Sequence, residues 1–250
     1  HDHAKNCVKH ILAQLPVDPK RVYYTGGSGG GAMAFNNAAL LRGAGAMPHI
    51  GYIPGSVPRG GHYFIISGAT DYNRYTSAHA AATIGKNAVQ RFFVGGHQEG
   101  PEWLCTEGMN WLNGQYLANP ARAASHSAER LDYESAMIRY IQNLQRNKMS
   151  HRAYYWAVYL RDEYRIANPN AAVLAPILAE LARDASCIRY VEGMMAIQKF
   201  AQKYYPPVGS ASQHKHTTPT IEKAAQKLAE EFRGVPEIED LARELGRPTV

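Results

Sequence analysis

The sequence predicts an α/β fold with a parallel sheet over residues 1–119, followed by an all-helical region over residues 120–250. Three observations indicate this division. A glycine-rich turn joins a β-branched and aromatic segment to an alanine-rich one, and two later apolar runs each end in a glycine-containing loop. The second half of the chain instead repeats apolar residues at helical spacing.

The chain begins with a predicted amphipathic helix, followed by a predicted strand. The apolar residues of the helix recur at helical spacing: Ala4, Cys7, Val8, Ile11, Leu12 and Leu15. The segment Lys20–Thr25 is rich in β-branched and aromatic residues, which favour a strand. An alanine-rich helix is expected to begin near Gly31.

The turn between this strand and helix, Gly26–Gly30, reads G-x-S-x-G with Ser28 at its centre. A serine on a sharp strand-to-helix turn projects above the end of the sheet and lies near a helix N-terminus, where negative charge is favoured. Small neighbours are needed because the turn is strained and the backbones pass closely. The pattern therefore predicts that Ser28 is a nucleophile.

The glycines allow two other interpretations. A phosphate-binding loop is disfavoured, because no lysine follows the glycines and the next strand candidate, His49–Ile53, does not end in an acidic residue. A glycine-rich turn with a purely structural role stays open.

An acid and a histidine follow two later strand candidates. The run Tyr63–Ser67 is followed by Asp71, and the run Ala88–Val94 is followed by His97. Ligands of open α/β sheets bind beyond the carboxyl ends of the strands, so these side chains are candidate partners of Ser28. Asp71 could instead cap the helix after it, and His97 could be a surface-loop histidine.

The order Ser28, Asp71, His97 resembles that of α/β-hydrolases. The run Val17–Tyr23 before the turn is similar to the polyhydroxybutyrate depolymerase and feruloyl esterase branch, and to dienelactone-hydrolase-like and prolyl-oligopeptidase-like relatives. The resemblance covers under half of the chain. It implies the C-terminal half of a hydrolase sheet, and it suggests a secreted or periplasmic location that the residues themselves do not specify.

The resemblance implies a role for each residue. His97 would take the proton of Ser28 as Ser28 attacks a carbonyl, and Asp71 would hold the imidazole tautomer. The backbone N–H of Gly29 would donate one hydrogen bond to the oxyanion. The second donor normally comes from a loop upstream of the first predicted helix, so we expect the chain to be an N-terminal truncation with impaired activity.

These observations predict a carboxylic ester hydrolase of the serine esterase type, acting on a small-molecule or polymeric ester, with a peptidase as a variant. The alternative is a non-catalytic binding or scaffold protein that retains the hydrolase fold. In either case the helical region could dock a partner protein. Neither interpretation requires a cofactor or a metal ion, and the sequence does not specify the acyl group or the alcohol.

Composition excludes some classes of protein. The net charge of +6 is spread evenly, with +3 in residues 1–117 and +3 in residues 118–250, so no concentrated basic surface for nucleic acid is predicted. No apolar run approaches the length of a membrane span.

The three cysteines, Cys7, Cys105 and Cys187, lack zinc-site spacing and are predicted to be buried free thiols, although one disulfide is possible. His1–His3 and His214–His216 are expected to be solvated loops rather than metal sites.

Pro120 marks the predicted boundary, and the region beyond it is expected to form a helical accessory domain without a fixed repeat period. A polar loop is predicted from Pro206 to Thr218, and the aromatic run Tyr154–Trp156 is expected to pack in the core. Six predicted helix faces comprise Leu131, Ile138, Ile141 and Leu144; Ala153, Trp156, Leu160 and Tyr164; Leu174, Ile177, Leu178 and Leu181; Ile188, Val191, Met195 and Phe200; Ile221, Ala224, Ala225, Leu228 and Phe232; and Ile238, Leu241 and Leu245.

Overall fold

The computed structural model describes residues 2–53, 60–120, 125–205 and 218–249. Its centre is a parallel sheet whose four strands lie side by side in chain order: β1 (Tyr23–Gly27), β2 (Gly45–His49), β3 (His62–Gly68) and β4 (Ala88–Phe93). Four helices accompany the strands: α1 (Asp2–Gln14), α2 (Gly29–Leu40), α3 (Arg74–Ile84) and α4 (Glu102–Ala118). The predicted α/β class is confirmed.

The rest of the described chain is helical. Its helices are α5 (Ser127–Arg146), α6 (Ser150–Tyr159), α7 (Asn170–Leu181), α8 (Ala185–Tyr204), α9 (Pro219–Glu231) and α10 (Pro236–Leu245). A single π-helical turn, Leu160–Tyr164, continues from the end of α6, where the sequence predicts uninterrupted α-helix. No helix among the described residues is both long enough and apolar enough to cross a membrane.

Apolar residues of the strands alternate between the two faces of the sheet. Tyr63 and Ile65 pack with Phe35 of α2 in one core cluster. Phe64 and Ile66, which lie between them in the chain, join a second cluster with residues of α4, α5, α6 and α7. Helices therefore cover both faces of the sheet, and the core of the helical region is continuous with that of the sheet.

The second strand lies earlier than predicted. β2 ends at His49, and Ile50 has a left-handed backbone with φ of 42°, so the chain turns where the sequence predicts a strand over residues 49–53. The actual strand contains Gly45 and Pro48, residues that disfavour strands by propensity. All five of its residues are buried between β1 and β3, and this tertiary context overrides propensity.

Two predicted helix faces are partly wrong. On α8, Ile188 and Met195 are exposed, and the residues one position earlier, Cys187 and Met194, are buried instead. The buried stripe is therefore rotated by one residue, because apolar side chains occur on both sides of the helix and packing decides which side faces inward. On α5, Leu131 is exposed as well, whereas Ile138, Ile141 and Leu144 of the same predicted face are buried.

The three cysteines are free, but only Cys187 is fully buried. Cys105 is half-buried, and Cys7 is exposed on α1, where Ile11 and Leu15 are exposed as well. The prediction of burial is thus wrong for Cys7, because the apolar side of α1 lies open to solvent in the described structure. Asp2 and His3 belong to α1 rather than to a loop. His1, His214–His216 and the predicted loop up to residue 217 lie outside the described residues.

Candidate active site

Ser28 lies between β1 and α2 with a left-handed backbone, φ 52° and ψ −116°. A non-glycine residue in such a conformation costs about 1–3 kcal/mol, and the surrounding structure must hold it there. The Ser28 N–H donates to the carbonyl oxygen of His49 at 3.0 Å, and the Ser28 carbonyl accepts from the N–H of Ala32 at 3.1 Å. The end of β2 and the first turn of α2 therefore support the strained residue from both sides.

Close backbone approach explains two of the glycines near Ser28, Gly26 and Gly31. A Cβ atom on Gly26 would lie 2.7 Å from the backbone of Gly30, and one on Gly31 would lie 2.8 Å from the carbonyl oxygen of His49. Neither position could carry a side chain without moving the turn. A Cβ atom on Gly29 would meet no atom within 4 Å, so the space beside the first residue of α2 is open.

The structure brings Ser28, His97 and Asp71 together at the carboxyl edge of the sheet. The Nε2 atom of His97 lies 2.9 Å from Ser28 Oγ, and its Nδ1 atom lies 2.9 Å from Asp71 Oδ1. Both distances are those of hydrogen bonds. His97 follows β4, Asp71 follows β3, and Ser28 follows β1, so three loops at one sheet edge each supply one side chain.

Asp71 is fully buried, and burial raises the pKa of its carboxyl above the usual value. The N–H of Asn73 donates to Asp71 Oδ1 at 3.0 Å, and this hydrogen bond and His97 both oppose the rise. Asp71 Oδ2 has no hydrogen-bond partner within the described residues. By position the N-cap residue of α3 is Asn73, whose side chain makes no capping hydrogen bond, whereas Asp71 accepts from the N–H groups of Asn73 and Arg74 just ahead of the helix. Asp71 therefore closes the turn before α3 and also contacts His97.

Asn73 and Ile50 connect the acid loop to the serine turn. The Asn73 side-chain amide donates to the carbonyl oxygen of Ile50 at 2.8 Å. Ile50 is buried, has a left-handed backbone and directly follows His49, whose carbonyl holds the Ser28 N–H. The two strained residues, Ser28 and Ile50, therefore belong to one hydrogen-bonded assembly that also holds Asp71.

A second histidine–carboxylate pair lies beside the turn. His49 Nδ1 lies 3.2 Å from Glu99 Oε2, and the Glu99 carboxylate packs against Gly27. Burial lowers the pKa of His49, and the charge of Glu99 opposes that change. Sequence reasoning missed this pair, because its two members are distant in the chain and neither stands in a motif.

Tyr72 is the most direct contact of the site that the sequence did not predict. Its hydroxyl lies 2.9 Å from His97 Nε2, and its ring stacks on the imidazole with centroids 4.3 Å apart and planes at 23°. The only available signal was its position immediately after Asp71, in a loop predicted to reach the site.

Gly29 is the first residue of α2, directly after Ser28. The first N–H groups of a helix have no acceptor within that helix, and the helix dipole adds positive potential there. The Gly29 amide is therefore suited to bind an anion beside Ser28.

One cluster among the described residues could hold a metal ion. The ligand atoms of His151, Asp184 and Cys187 lie within 4.8 Å of one another. Asp184 is the N-cap of α8, and its Oδ1 accepts from both the N–H and the hydroxyl of Ser186, which also bonds His151 at 2.8 Å. Helix capping accounts for this arrangement.

Comparison of the chain with models of known families, with curated proteins and with solved structures found no match.

Proposed function

We propose that this protein is a serine hydrolase that cleaves carboxylic esters through an acyl-enzyme intermediate, on a sheet of the α/β-hydrolase type. The observation that carries the proposal is the pair of 2.9 Å distances joining Ser28 Oγ, the two nitrogens of His97 and Asp71 Oδ1. A nucleophile within hydrogen-bond reach of a base, itself oriented by a third group, is the arrangement that activates a serine.

In the first step, His97 Nε2 takes the proton of Ser28 as Oγ attacks the ester carbonyl. The buried Asp71 carboxylate accepts from His97 Nδ1, which keeps the free lone pair on Nε2 and stabilises the imidazolium that forms. The imidazolium then gives its Nε2 proton to the departing alcohol oxygen. A water molecule repeats the same transfers in the second step and releases the acid.

The negative oxygen of each tetrahedral intermediate needs donors that are already in place. The Gly29 amide at the N-terminus of α2 is the donor that we assign, because it directly follows Ser28 and has no acceptor within the helix. In a nucleophile turn of this kind, the amide that follows the serine is one of the two oxyanion donors.

The test is covalent labelling with a fluorophosphonate probe. We expect the wild-type protein to be labelled at Ser28 and Ser28→Ala to be unlabelled while it remains folded by circular dichroism. Ser135→Ala, on α5, is the matched control and should be labelled as the wild type is. Undiminished labelling of Ser28→Ala would show that Ser28 is not the nucleophile, and an unlabelled wild-type protein would favour a binding protein.

A further inference from the structure

The Tyr72 hydroxyl contacts His97 Nε2, the same atom that acts as the base in the proposed mechanism. Both Ser28 Oγ and the Tyr72 hydroxyl lie 2.9 Å from His97 Nε2. The Tyr72 residue is about one-third exposed, at 36%, so part of it is open to solvent beside His97. A substrate bound at Ser28 would therefore lie within reach of Tyr72.

The two hydroxyls cannot have the same role. An ionised Asp71 only accepts, so His97 Nδ1 carries the proton and Nε2 has a single lone pair, which lies in the plane of the ring. The Tyr72 ring is stacked over the imidazole, so its hydroxyl reaches Nε2 from the ring face. The in-plane lone pair is therefore left to Ser28, and the Tyr72 hydroxyl is available to another oxygen beside Nε2.

Two oxygens occupy that place during ester hydrolysis: the alcohol oxygen that leaves and the water that replaces it. Each exchanges a proton with Nε2, so each must lie within hydrogen-bond distance of that atom. We propose that the Tyr72 hydroxyl binds these two oxygens in turn and is a further catalytic residue. This inference rests on the proposed function.

Both steps are balanced in protons. As the acyl C–O bond breaks, the Nε2 proton goes to the alcohol oxygen, and Tyr72 donates a hydrogen bond to that oxygen while it keeps its own proton. In the second step, water gives one proton to Nε2, donates its other O–H to the Tyr72 oxygen, and attacks the acyl carbon with its lone pair.

The proposal identifies a substrate class. An aliphatic alkoxide is a poor leaving group that must be protonated as it departs, whereas p-nitrophenolate departs without protonation. A donor directed at the leaving oxygen therefore favours esters of aliphatic alcohols over activated aryl esters. A residue that only supports His97 would affect both kinds of ester equally.

The experiment compares Tyr72→Phe with the wild type on an ethyl ester and a p-nitrophenyl ester of the same acid. Phenylalanine keeps the stacked ring and removes only the hydroxyl. We expect kcat/KM for the ethyl ester to fall about tenfold or more, as for a lost hydrogen bond to a charged oxygen. For the p-nitrophenyl ester, kcat/KM should stay within about twofold, and the rate of fluorophosphonate labelling should not change.

Tyr204→Phe, on α8, is the matched control and should match the wild type on both esters. Tyr72→Leu also removes the ring, and we expect it to slow both esters because His97 loses its stacking partner. Equal effects of Tyr72→Phe on the two esters, or no effect on either, would overturn the role of Tyr72 while leaving Ser28 as nucleophile. A wild-type protein that takes no label would overturn the proposed function and this inference with it.

Discussion

The sheet region and the helical region of this protein differ in what they bury. Within the described residues, every buried Asn, Gln, Ser, Thr, His, Asp, Glu or Arg side chain precedes residue 120, with Glu134 as the exception. The buried face of α9 and α10 is apolar: Ile221, Ala225, Leu228, Ala229, Ile238, Leu241, Ala242 and Leu245. Buried polar groups cost free energy unless they are hydrogen-bonded. In the sheet region, some of these groups hold one another near the candidate site, as Asn73 holds Asp71, and others form ion pairs, as Arg91 and Glu107 do.

The left-handed residues fall into two groups. Ser28 and Ile50 have left-handed φ at the edge of the sheet, within one hydrogen-bonded assembly. Arg42, Lys148 and Arg165 also have left-handed φ, but each lies within two residues of the end of a helical segment, where this conformation commonly ends a helix. Strain alone therefore does not mark a site. What sets Ser28 and Ile50 apart is that their strain occurs beside the buried polar side chains of Asp71 and Asn73.

Buried ions join the two regions. Glu107 of α4 is fully buried and lies between Arg91 of β4, at 3.4 Å, and Arg152 of α6, at 2.7 Å. Arg74 of α3 is also buried, and it donates to the carbonyl oxygens of Ala69 and Arg247. The sheet edge and the helical region are therefore tied together by charged groups as well as by apolar packing.

The largest expected effect is on catalysis and comes from Asp71→Asn. We expect kcat to fall about 10⁴-fold with little change in KM, because an amide favours the wrong tautomer of His97. Burial raises the pKa of Asp71 above 3.8, so ionised Asp71 makes the wild type less stable as the pH rises through that raised pKa. Asp71→Asn should therefore be at least as stable as the wild type at pH 7.

The rate of ester hydrolysis measures the fall in kcat, and urea unfolding at pH 4 and pH 7 measures the change in stability. If Asp71→Asn loses activity and also unfolds at a lower urea concentration than the wild type at pH 7, the stability prediction is wrong. Asp71 would then stabilise the fold as well as serve catalysis.

The next effect is on stability and comes from Glu107→Ala. This change leaves Arg91 buried without its partner, which we expect to cost about 3–5 kcal/mol in the free energy of unfolding. Asp162→Asn breaks the exposed pair with Arg161 and should cost less than about 1 kcal/mol. Urea unfolding of both variants gives the comparison. Equal, small losses would show that apolar packing alone joins the two regions.

The smallest expected effect is that of Asp18→Asn. Asp18 accepts from the Tyr116 hydroxyl at 2.7 Å and from the Lys20 N–H at 2.8 Å, and the Tyr116 bond is the main cause that lowers the pKa of this exposed carboxyl below 3.8. Its stabilisation is therefore present above pH 3.8 and is lost as the pH falls through the lowered value. The melting temperatures of variant and wild type should differ slightly at pH 7 and converge in acid. A difference in melting temperature that persists in acid would show that the effect of Asp18→Asn comes from the shape of the side chain rather than from its charge.

Local signals predicted three strands and the residues of the candidate site. The predicted strands overlap β1, β3 and β4, because each is a short β-branched or aromatic run that ends at glycine. The sequence predicts β2 four residues too late, because Gly45 and Pro48 disfavour a strand that only burial stabilises. It also predicts an inward face of α8 that differs by one residue from the buried one, since apolar residues on both sides of a helix do not specify which side packs inward.

The sequence by itself determined the order Ser28, Asp71, His97 and the glycines that the serine turn requires, because turn chemistry depends on a few adjacent residues. Only the tertiary structure decided what surrounds them. Ser28 and His97 are 69 residues apart in the chain, and Tyr72 and His97 are 25 apart. Contacts at such separations depend on which strands are neighbours and on how far each loop extends beyond the sheet. No local pattern encodes the stacking of Tyr72 on His97, so only the packed sheet edge could reveal it.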